Sequence, residues 1–404
     1  MKIGLIKEGK IPADTRVVLT PKQCKSILQK GNISLVVQPS ANRCYTNEEY
    51  EQAGVALSDN LQDCDVLLGV KEVPINQLIA NKTYCFFSHT IKEQPYNQKL
   101  IQAVVNKNIR LIDYECLVDE NRTRVIAFGH WAGIVGAHNA LWTWSKKYQQ
   151  FNLPRAVDVN NLAKLKAVYK TVNFPAIKIA VTGGGRVAKG AIEVLDAAGI
   201  KQVDSKEFLT KTYAQAVYTQ LDSDNLYARK TDNGFEMKEF YSQPQLYKCV
   251  IQPYLSTTDL FINAIYWNPE APPFWSLEDM KAKDFSIKAI ADITCDIAPV
   301  ASIPSTLKPS TISEPVYGFD AQKQTETEAF KTNSIDVMAV DNLPNELPRD
   351  ASEDFGKMFI NHVLPEFLKP ESDMLHNACI TINGDLNKPY EYLRNYLDGK
   401  VVAA

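Results

Sequence analysis

Short apolar runs bounded by polar residues recur through the first 130 positions: Ile3–Ile6, Ser34–Val37, Val66–Val70, Tyr84–Phe87 and Arg110–Ile112. Such brief runs of β-branched, aliphatic and aromatic residues predict strands buried on both faces rather than helices. Between them, Pro21–Lys30 and Asn47–Ala53 carry helical or turn patterns. The alternation predicts a parallel sheet in an α/β fold. From Trp131 to Tyr148 the pattern changes to one proline-free stretch with small residues at Ala132, Gly133, Gly136, Ala137 and Ala140, which predicts a single long helix leading to a second domain. Glycine costs about 1 kcal/mol against alanine inside a helix, so these glycines point to close helix packing rather than to catalysis.

At residues 177–191 the chain reads IKIAVTGGGRVAKGA, an apolar strand pattern broken by glycines and resumed as a helix running to about Ala198. Gly183 permits the sharp turn, Gly185 lets backbone approach a pyrophosphate, and Ala188 lets helix pack on strand, while the helix start at Arg186 offers unpaired N–H groups to an anion. A second short strand ending at Asp204 supplies an acid where a ribose hydroxyl would be bound. A polar, tyrosine-rich excursion, Thr210–Tyr254, follows. Leu260–Ile265 and Ile287–Asp292 are expected to extend this nucleotide-binding sheet. Pro299–Pro315 reads as loop, Asp336–Val340 as strand, and Asp350–Leu368 as a helix with Asp350 or Ser352 at its N-cap.

A chain of 404 residues suggests two domains, with a ligand cleft expected between them. With 45% hydrophobic and 23% charged residues and a net charge of −3, nothing in the composition favours nucleic acid or an anionic membrane as partner. The N-terminus lacks the apolar region of a signal peptide, and no run approaches ~18 apolar residues. Eight cysteines without a C-x-x-C pair argue for a reduced, cytoplasmic compartment. No clustered metal-ligand spacing, nucleophile elbow or phosphate-loop lysine motif occurs, so no metal is expected.

Ligands of parallel α/β sheets bind outside the carboxyl ends of the strands. Val66–Val70 ends in Lys71-Glu72 and Tyr84–Phe87 ends in Ser88-His89, which places an amine and an imidazole at the same sheet edge as a candidate acid–base pair. A solvated lysine and a turn-capping histidine are the plainer alternatives. Arg16 and Arg124, each beside an apolar run, have the planar fork that clamps a carboxylate, although spacing alone equally fits surface ion pairs. His130 and His138, around the long helix, are expected to pack or cap.

Several longer motifs, in order along nearly the whole chain, resemble the lysine-ketoglutarate reductase domain of the saccharopine pathway: KTYCFFSHTIKEQPYNQKL (82–100), RLIDYECLVDENRTRVIAFGHWAG (110–133), VTGGGRVAKGA, LFINAIYW, ADITCD, MAVDNLPNELPRDASEDFG and ACITINGDL. The wider relatives are the lysine-forming saccharopine dehydrogenases and the alanine dehydrogenase and transhydrogenase group. The resemblance implies two Rossmann-like domains with an interdomain cleft. Residues 1–130, completed by 345–404, would bind substrate, and 131–344 would bind the dinucleotide. It places the family's catalytic lysine and histidine on Lys71 and His89, substrate-binding arginines on Arg16 and Arg124, an acidic substrate contact on Glu115, and nicotinamide neighbours on Asp296 and Asp341. A glycine-rich acidic loop of the relatives is replaced by VASIP (Val300–Pro304), so its contacts are not carried over.

The implied reaction interconverts saccharopine with lysine and 2-oxoglutarate. Asp204 favours NAD(H) by repelling a 2′-phosphate, with NADP(H) kept open because Arg186 or Lys201 offers an offsetting charge. The alternatives are another amino-acid or opine dehydrogenase such as alanine dehydrogenase, and a non-catalytic nicotinamide-binding sensor. The chain lacks a saccharopine-oxidising half and is expected to be a stand-alone version; whether it forms a homo-oligomer is left open.

Overall fold

The computed structural model describes residues 1–400. The chain divides into two compact units, Met1–Phe128 together with the chain from Pro348 onward, and Gly129–Leu347.

The first unit is built on β1 (Lys2–Leu5), β2 (Ser34–Val37), β3 (Ala56–Leu57), β4 (Val66–Leu68), β5 (Thr83–Phe86) and β6 (Arg110–Asp113), paired in parallel in the order β6-β5-β4-β1-β2-β3. Every residue of β4 is buried, as a strand covered on both faces requires. The Pro21–Leu28 helix starts on a reciprocal cap: the Thr20 hydroxyl accepts from the Gln23 N–H and the Gln23 side chain accepts from the Thr20 N–H. Thr46 and Glu49 cap the Asn47–Gln52 helix in the same way. Because these strands run parallel, their carboxyl ends share one edge of the sheet, and the polar residues that follow β1, β4, β5 and β6 emerge there.

The second unit contains β7 (Lys178–Thr182), β8 (Lys201–Gln202), β9 (Val217–Leu221), a separate antiparallel ribbon of β10 (Tyr227–Arg229) and β11 (Tyr247–Cys249), then β12 (Leu260–Asn263), β13 (Ala289–Asp292), β14 (Val316–Asp320), β15 (Thr325–Thr327) and β16 (Ile335–Met338). Its sheet has the order β15-β14-β16-β13-β12-β7-β9-β8, with β14 and β15 antiparallel at one end. The Thr210–Tyr254 excursion is therefore not wholly outside the sheet. It contributes β9, the direct neighbour of β7, whereas the strand expected to end at Asp204 is only the two-residue edge strand β8. The long helix spans Gly129–Tyr148 and crosses the Arg186–Ala197 helix at backbone contact: a Cβ added to Gly133 would lie 1.8 Å from the Val187 carbonyl oxygen, and one on Gly190 would lie 2.0 Å from that of His130.

The chain then returns to the first unit. The helix expected from Asp350 begins at Pro348, because proline suits a first turn whose N–H groups lack intrahelical partners. Ser352 sits inside it, donating to the Pro348 carbonyl at 2.6 Å, so neither Asp350 nor Ser352 is the N-cap. A π-helical turn, Phe359–Val363, precedes Leu364–Phe367, where Pro365 supplies no N–H for a regular helical bond. β17 (Cys379–Ile382) pairs antiparallel with β6 and turns through Asn383 and Gly384, both at positive φ, into β18 (Asp385–Leu386), completing an eight-stranded sheet. No helix among the described residues is long and apolar enough to cross a membrane.

Candidate functional site

The carboxyl edge of the first sheet gathers a dense set of charged side chains. Glu8, just after β1, accepts hydrogen bonds from the N–H groups of Val70 (2.6 Å) and Lys71 (2.8 Å), fixing the backbone that leaves β4. Burial, reinforced by the nearby Asp14 charge, raises the Glu8 carboxyl to about 8. Burial and the positive field of Arg16 lower the Lys71 amine to about 8, so near neutrality it can both hold and release a proton. Next in sequence, Glu72 reaches Nδ1 of His89 at 2.6 Å and Nζ of Lys10 at 3.1 Å. Burial pushes the Glu72 carboxyl up, but the contacts with His89 and then Lys10 overcome it and hold the group at about 2. His89 adopts a left-handed backbone (φ 53°), uncommon for a non-glycine residue, and its ring lies nearly parallel to that of Phe87. The structure thus brings Lys71 and His89 to one edge and orients His89 through a fixed carboxylate, an arrangement suited to proton transfer.

Arg16 is buried, and its fork meets Asp14 through Nε (3.0 Å) and Nη2 (2.5 Å). Burial raises the Asp14 carboxyl, but the Arg16 guanidinium overrides this and holds it well below the usual carboxylate range. The same guanidinium lies 4.2 Å over the Phe128 ring, which stacks on Phe355 from the returning helix at 4.3 Å. Arg124 bonds Glu115 at 3.2 Å, with Lys92 at 3.6 Å from the same oxygen. Both arginines are therefore already oriented by carboxylates of this unit. Sequence reasoning did not single out Glu8, Lys10, Asp14 or Glu72 as part of the set; Glu72 was visible beside Lys71, but nothing in its spacing announced the contact with His89.

In the second unit a pocket of about 690 Å³ opens at the glycine turn, lined by Gly183–Val187, Asp222–Asp224, Phe235, Met237, Tyr241 and Ala264–Tyr266. Gly183 has φ +89°, and any Cβ there would crowd Ile265. A Cβ on Gly185 would project into open space, the bare approach a pyrophosphate needs in front of the Arg186–Ala197 helix. Ala188, in the first turn of that helix, is fully buried, and Arg186 is exposed at its start. Asp204 does not line this pocket. It caps the Ser205–Thr210 helix, its carboxylate accepting from the N–H groups of Lys206 and Glu207. The acid at the glycine turn is Asp222, which directly follows β9 and lies 2.8 Å from where a Gly184 Cβ would stand. Asp296 and Asp341 follow β13 and β16 at the same sheet edge; burial, with the charges of Asp292, Asp341 and Asp296, pushes the Cys295 thiol up to about 12. In the altered loop, Ser302 is fully buried and accepts from Asn263 at 3.0 Å, anchoring Val300–Pro304 to the end of β12.

His138 is buried between Tyr169 (2.8 Å) and the Pro154 carbonyl (2.9 Å), with burial lowering it to about 4, and His130 pairs with Glu193; both are structural. All eight cysteines are free thiols, and among the described residues no group of three or more His, Cys, Asp and Glu side chains is arranged to hold a metal ion.

Residues 4–135 match the family of the alanine dehydrogenase/PNT N-terminal domain. The chain is 30% identical over 96% of its length to the mitochondrial alpha-aminoadipic semialdehyde synthase of Rattus norvegicus, of which it spans 47%. It thus covers about half the length of that relative. It is also 26% identical over 91% of its length to the NAD(+), L-lysine-forming saccharopine dehydrogenase of Emericella nidulans, covering 92% of that chain. Among solved structures, an L-alanine dehydrogenase superposes with a TM-score of 0.67 at 15% identity over 98% of this chain and 100% of its own. A transhydrogenase from Sinorhizobium meliloti superposes with a TM-score of 0.59 at 14% identity, covering 96% of this chain and 100% of its own. These two likenesses concern the fold.

Proposed function

We propose that this chain, which belongs with the alanine dehydrogenases and lysine-forming saccharopine dehydrogenases in one superfamily, interconverts saccharopine with L-lysine and 2-oxoglutarate using a nicotinamide cofactor. The observation that carries the reading is the pairing of Lys71 with a Glu72-oriented His89 at neighbouring strand ends, in a chain aligned with those relatives over nearly its whole length. In the oxidative direction saccharopine, oxidised cofactor and water give lysine, 2-oxoglutarate, reduced cofactor and a proton. The bound nicotinamide supplies the hydride acceptor. Lys71, its amine lowered to about 8, takes the proton of the secondary amine, and His89 moves protons for the water that adds to the resulting imine and for collapse of the carbinolamine. Arg16 and Arg124, held by Asp14 and Glu115, present guanidinium groups to the carboxylates of a substrate that has three, with Glu115 as an acidic contact for its ammonium group.

The open face of Gly185 and the turn at Gly183 fit a dinucleotide, with Arg186 and Ala188 beside the pyrophosphate and Asp296 and Asp341 toward the nicotinamide. We assign the ribose contact to Asp222 instead of Asp204; its carboxylate, with Asp224 in the same pocket, disfavours a 2′-phosphate and supports NAD(H) over NADP(H). A cytoplasmic location belongs to the same proposal and is supported by the free thiols.

The test is direct. Purified protein given lysine, 2-oxoglutarate and NADH is expected to consume NADH and form saccharopine, identified by mass spectrometry. Turnover of pyruvate with ammonia, and none with lysine and 2-oxoglutarate, would place the activity with alanine dehydrogenase.

A further inference from the structure

The segment between β9 and β12 looks in sequence like a polar excursion, yet its aromatic side chains join the hydrophobic core of the second unit. Tyr227 packs on Phe240 at 4.6 Å, Phe240 on Tyr247 at 5.1 Å, and Phe235 on both at 5.5 and 5.6 Å. Arg229 bonds Glu239 (2.7 Å) and Asp232 (2.8 Å), and the Tyr247 hydroxyl donates to Glu239 at 2.5 Å. Glu236 caps the Met237–Ser242 helix through the N–H groups of Lys238 and Glu239. The small subfold is thus fixed both by these contacts and by its packing on the unit's core, where Tyr227 also meets Phe274 and the Pro272 carbonyl. Against that background, two of its residues are anomalous. Met237 and Tyr241, four positions apart and so on one face of the helix, remain 56% and 53% exposed while Phe240 beside them is buried. Both line the pocket at the glycine turn, together with Tyr266, which is 81% exposed on the loop after β12. Asp222 joins the two parts of the pocket, standing at the glycine turn and leading directly into the subfold.

The inference rests on the dinucleotide reading above and deepens it. The pyrophosphate and ribose claim the glycines and Asp222, which leaves the flat base of the dinucleotide without a partner. A purine offers apolar π-faces, and an exposed aromatic or thioether side chain is what such a face recognises. We propose that the Ser223–Thr258 subfold is the adenine wall of the nucleotide site, with Met237 and Tyr241 contacting one face of the base and Tyr266 closing the same pocket. The aromatic core and the Arg229–Glu239–Tyr247 cluster hold that wall in place before the nucleotide arrives, so less ordering remains to be done on binding.

The experiment uses the full chain and ADP-ribose, which carries the adenine half without the reactive nicotinamide, in calorimetric titration. Wild-type binding of ADP-ribose tests the dinucleotide reading, and its absence overturns both statements. Given that binding, the Met237→Ala/Tyr241→Ala double variant is expected to raise the Kd for ADP-ribose and for NADH by about 5–100-fold. Tyr241→Phe, which keeps the ring, should remain within about twofold of wild type, and reduced nicotinamide mononucleotide should bind all variants equally. Both replaced side chains are exposed, so the melting temperature should not move. A double variant that binds ADP-ribose as tightly as wild type overturns the adenine wall and leaves the dinucleotide reading standing.

Discussion

At the scale of single residues, the site is a balance between burial and pairing. Lys71→Met and His89→Gln are each expected to lower kcat by about 10²–10⁴ while ADP-ribose still binds, measured by steady-state rates and titration. The Lys71 amine sits at about 8, below its ordinary 10.5, so saccharopine oxidation should rise with pH toward 8 and the Lys71→Met variant should lose that limb. The same shift has a stability consequence. Between about 8 and 10.5 the unfolded chain binds more protons at this residue than the folded one, so the cost of burying the ammonium is full below pH 8 and fades as pH rises to 10.5. Lys71→Met should therefore raise the melting temperature at pH 7 and raise it less at pH 10, even as it lowers turnover. Glu8 acts through Lys71, since both of its oxygens hold the backbone beneath it. Glu8→Gln replaces one acceptor with a donor facing an N–H, and is expected to lower kcat more than it changes KM and to displace the pH limb.

Among elements, the decisive contact is that between the long helix and the helix behind the glycine turn. Gly133→Ala would set a methyl group on the Val187 carbonyl, where the neighbour is backbone and cannot rotate away. A destabilisation of about 3 kcal/mol or more is expected by denaturant titration. Weaker ADP-ribose binding should accompany it, because the start of the Arg186–Ala197 helix must move to relieve the clash. The sheet neighbour of β7 shows where local reading falls short. VYTQL at 217–221 mixes β-branched, aromatic and polar residues in strand fashion and is followed by an aspartate. The run is short and lies in a polar stretch, whereas Asp204 stands at the regular spacing of about 20 residues from the glycine turn. Only the pairing of β9 with β7 placed Asp222 at the glycine turn. The Asn-Gly pair at 383–384 is a hairpin signal legible in the sequence, and both residues take the positive φ that such a turn requires.

For the molecule as a whole, the two units have separate hydrophobic cores, one around Tyr84, Phe86, Ile101 and Leu111, the other around Phe261, Phe274, Trp275 and Val337. The returning helix belongs to the first. Phe355 packs on Phe87, Tyr114 and Phe128 and so supports the ring beneath Arg16. Phe355→Ala is expected to destabilise this unit by about 3–5 kcal/mol and to raise KM for the dicarboxylate substrate. Scanning calorimetry with and without NADH should separate the effects: the variant's lower transition should respond little to the nucleotide, and the transition that NADH raises should be unchanged.

The amino-acid sequence by itself determined the α/β class, the positions of the buried strands other than β9, the glycine turn with its helix, and the strand ends carrying Lys71 and His89. Each of these is written in local patterns: periodicity, glycine where backbone must turn, a polar residue directly after an apolar run. Tertiary structure alone decided which strands are neighbours and what each charged group faces. It placed Glu72 against His89, Asp14 on Arg16 and Glu8 beneath Lys71, set Asp222 rather than Asp204 at the glycine turn, and paired β17 with β6. The physical reason is that sheet order and burial bring together residues far apart in the chain, and a charge takes its protonation state and its role from those neighbours rather than from its place in the sequence.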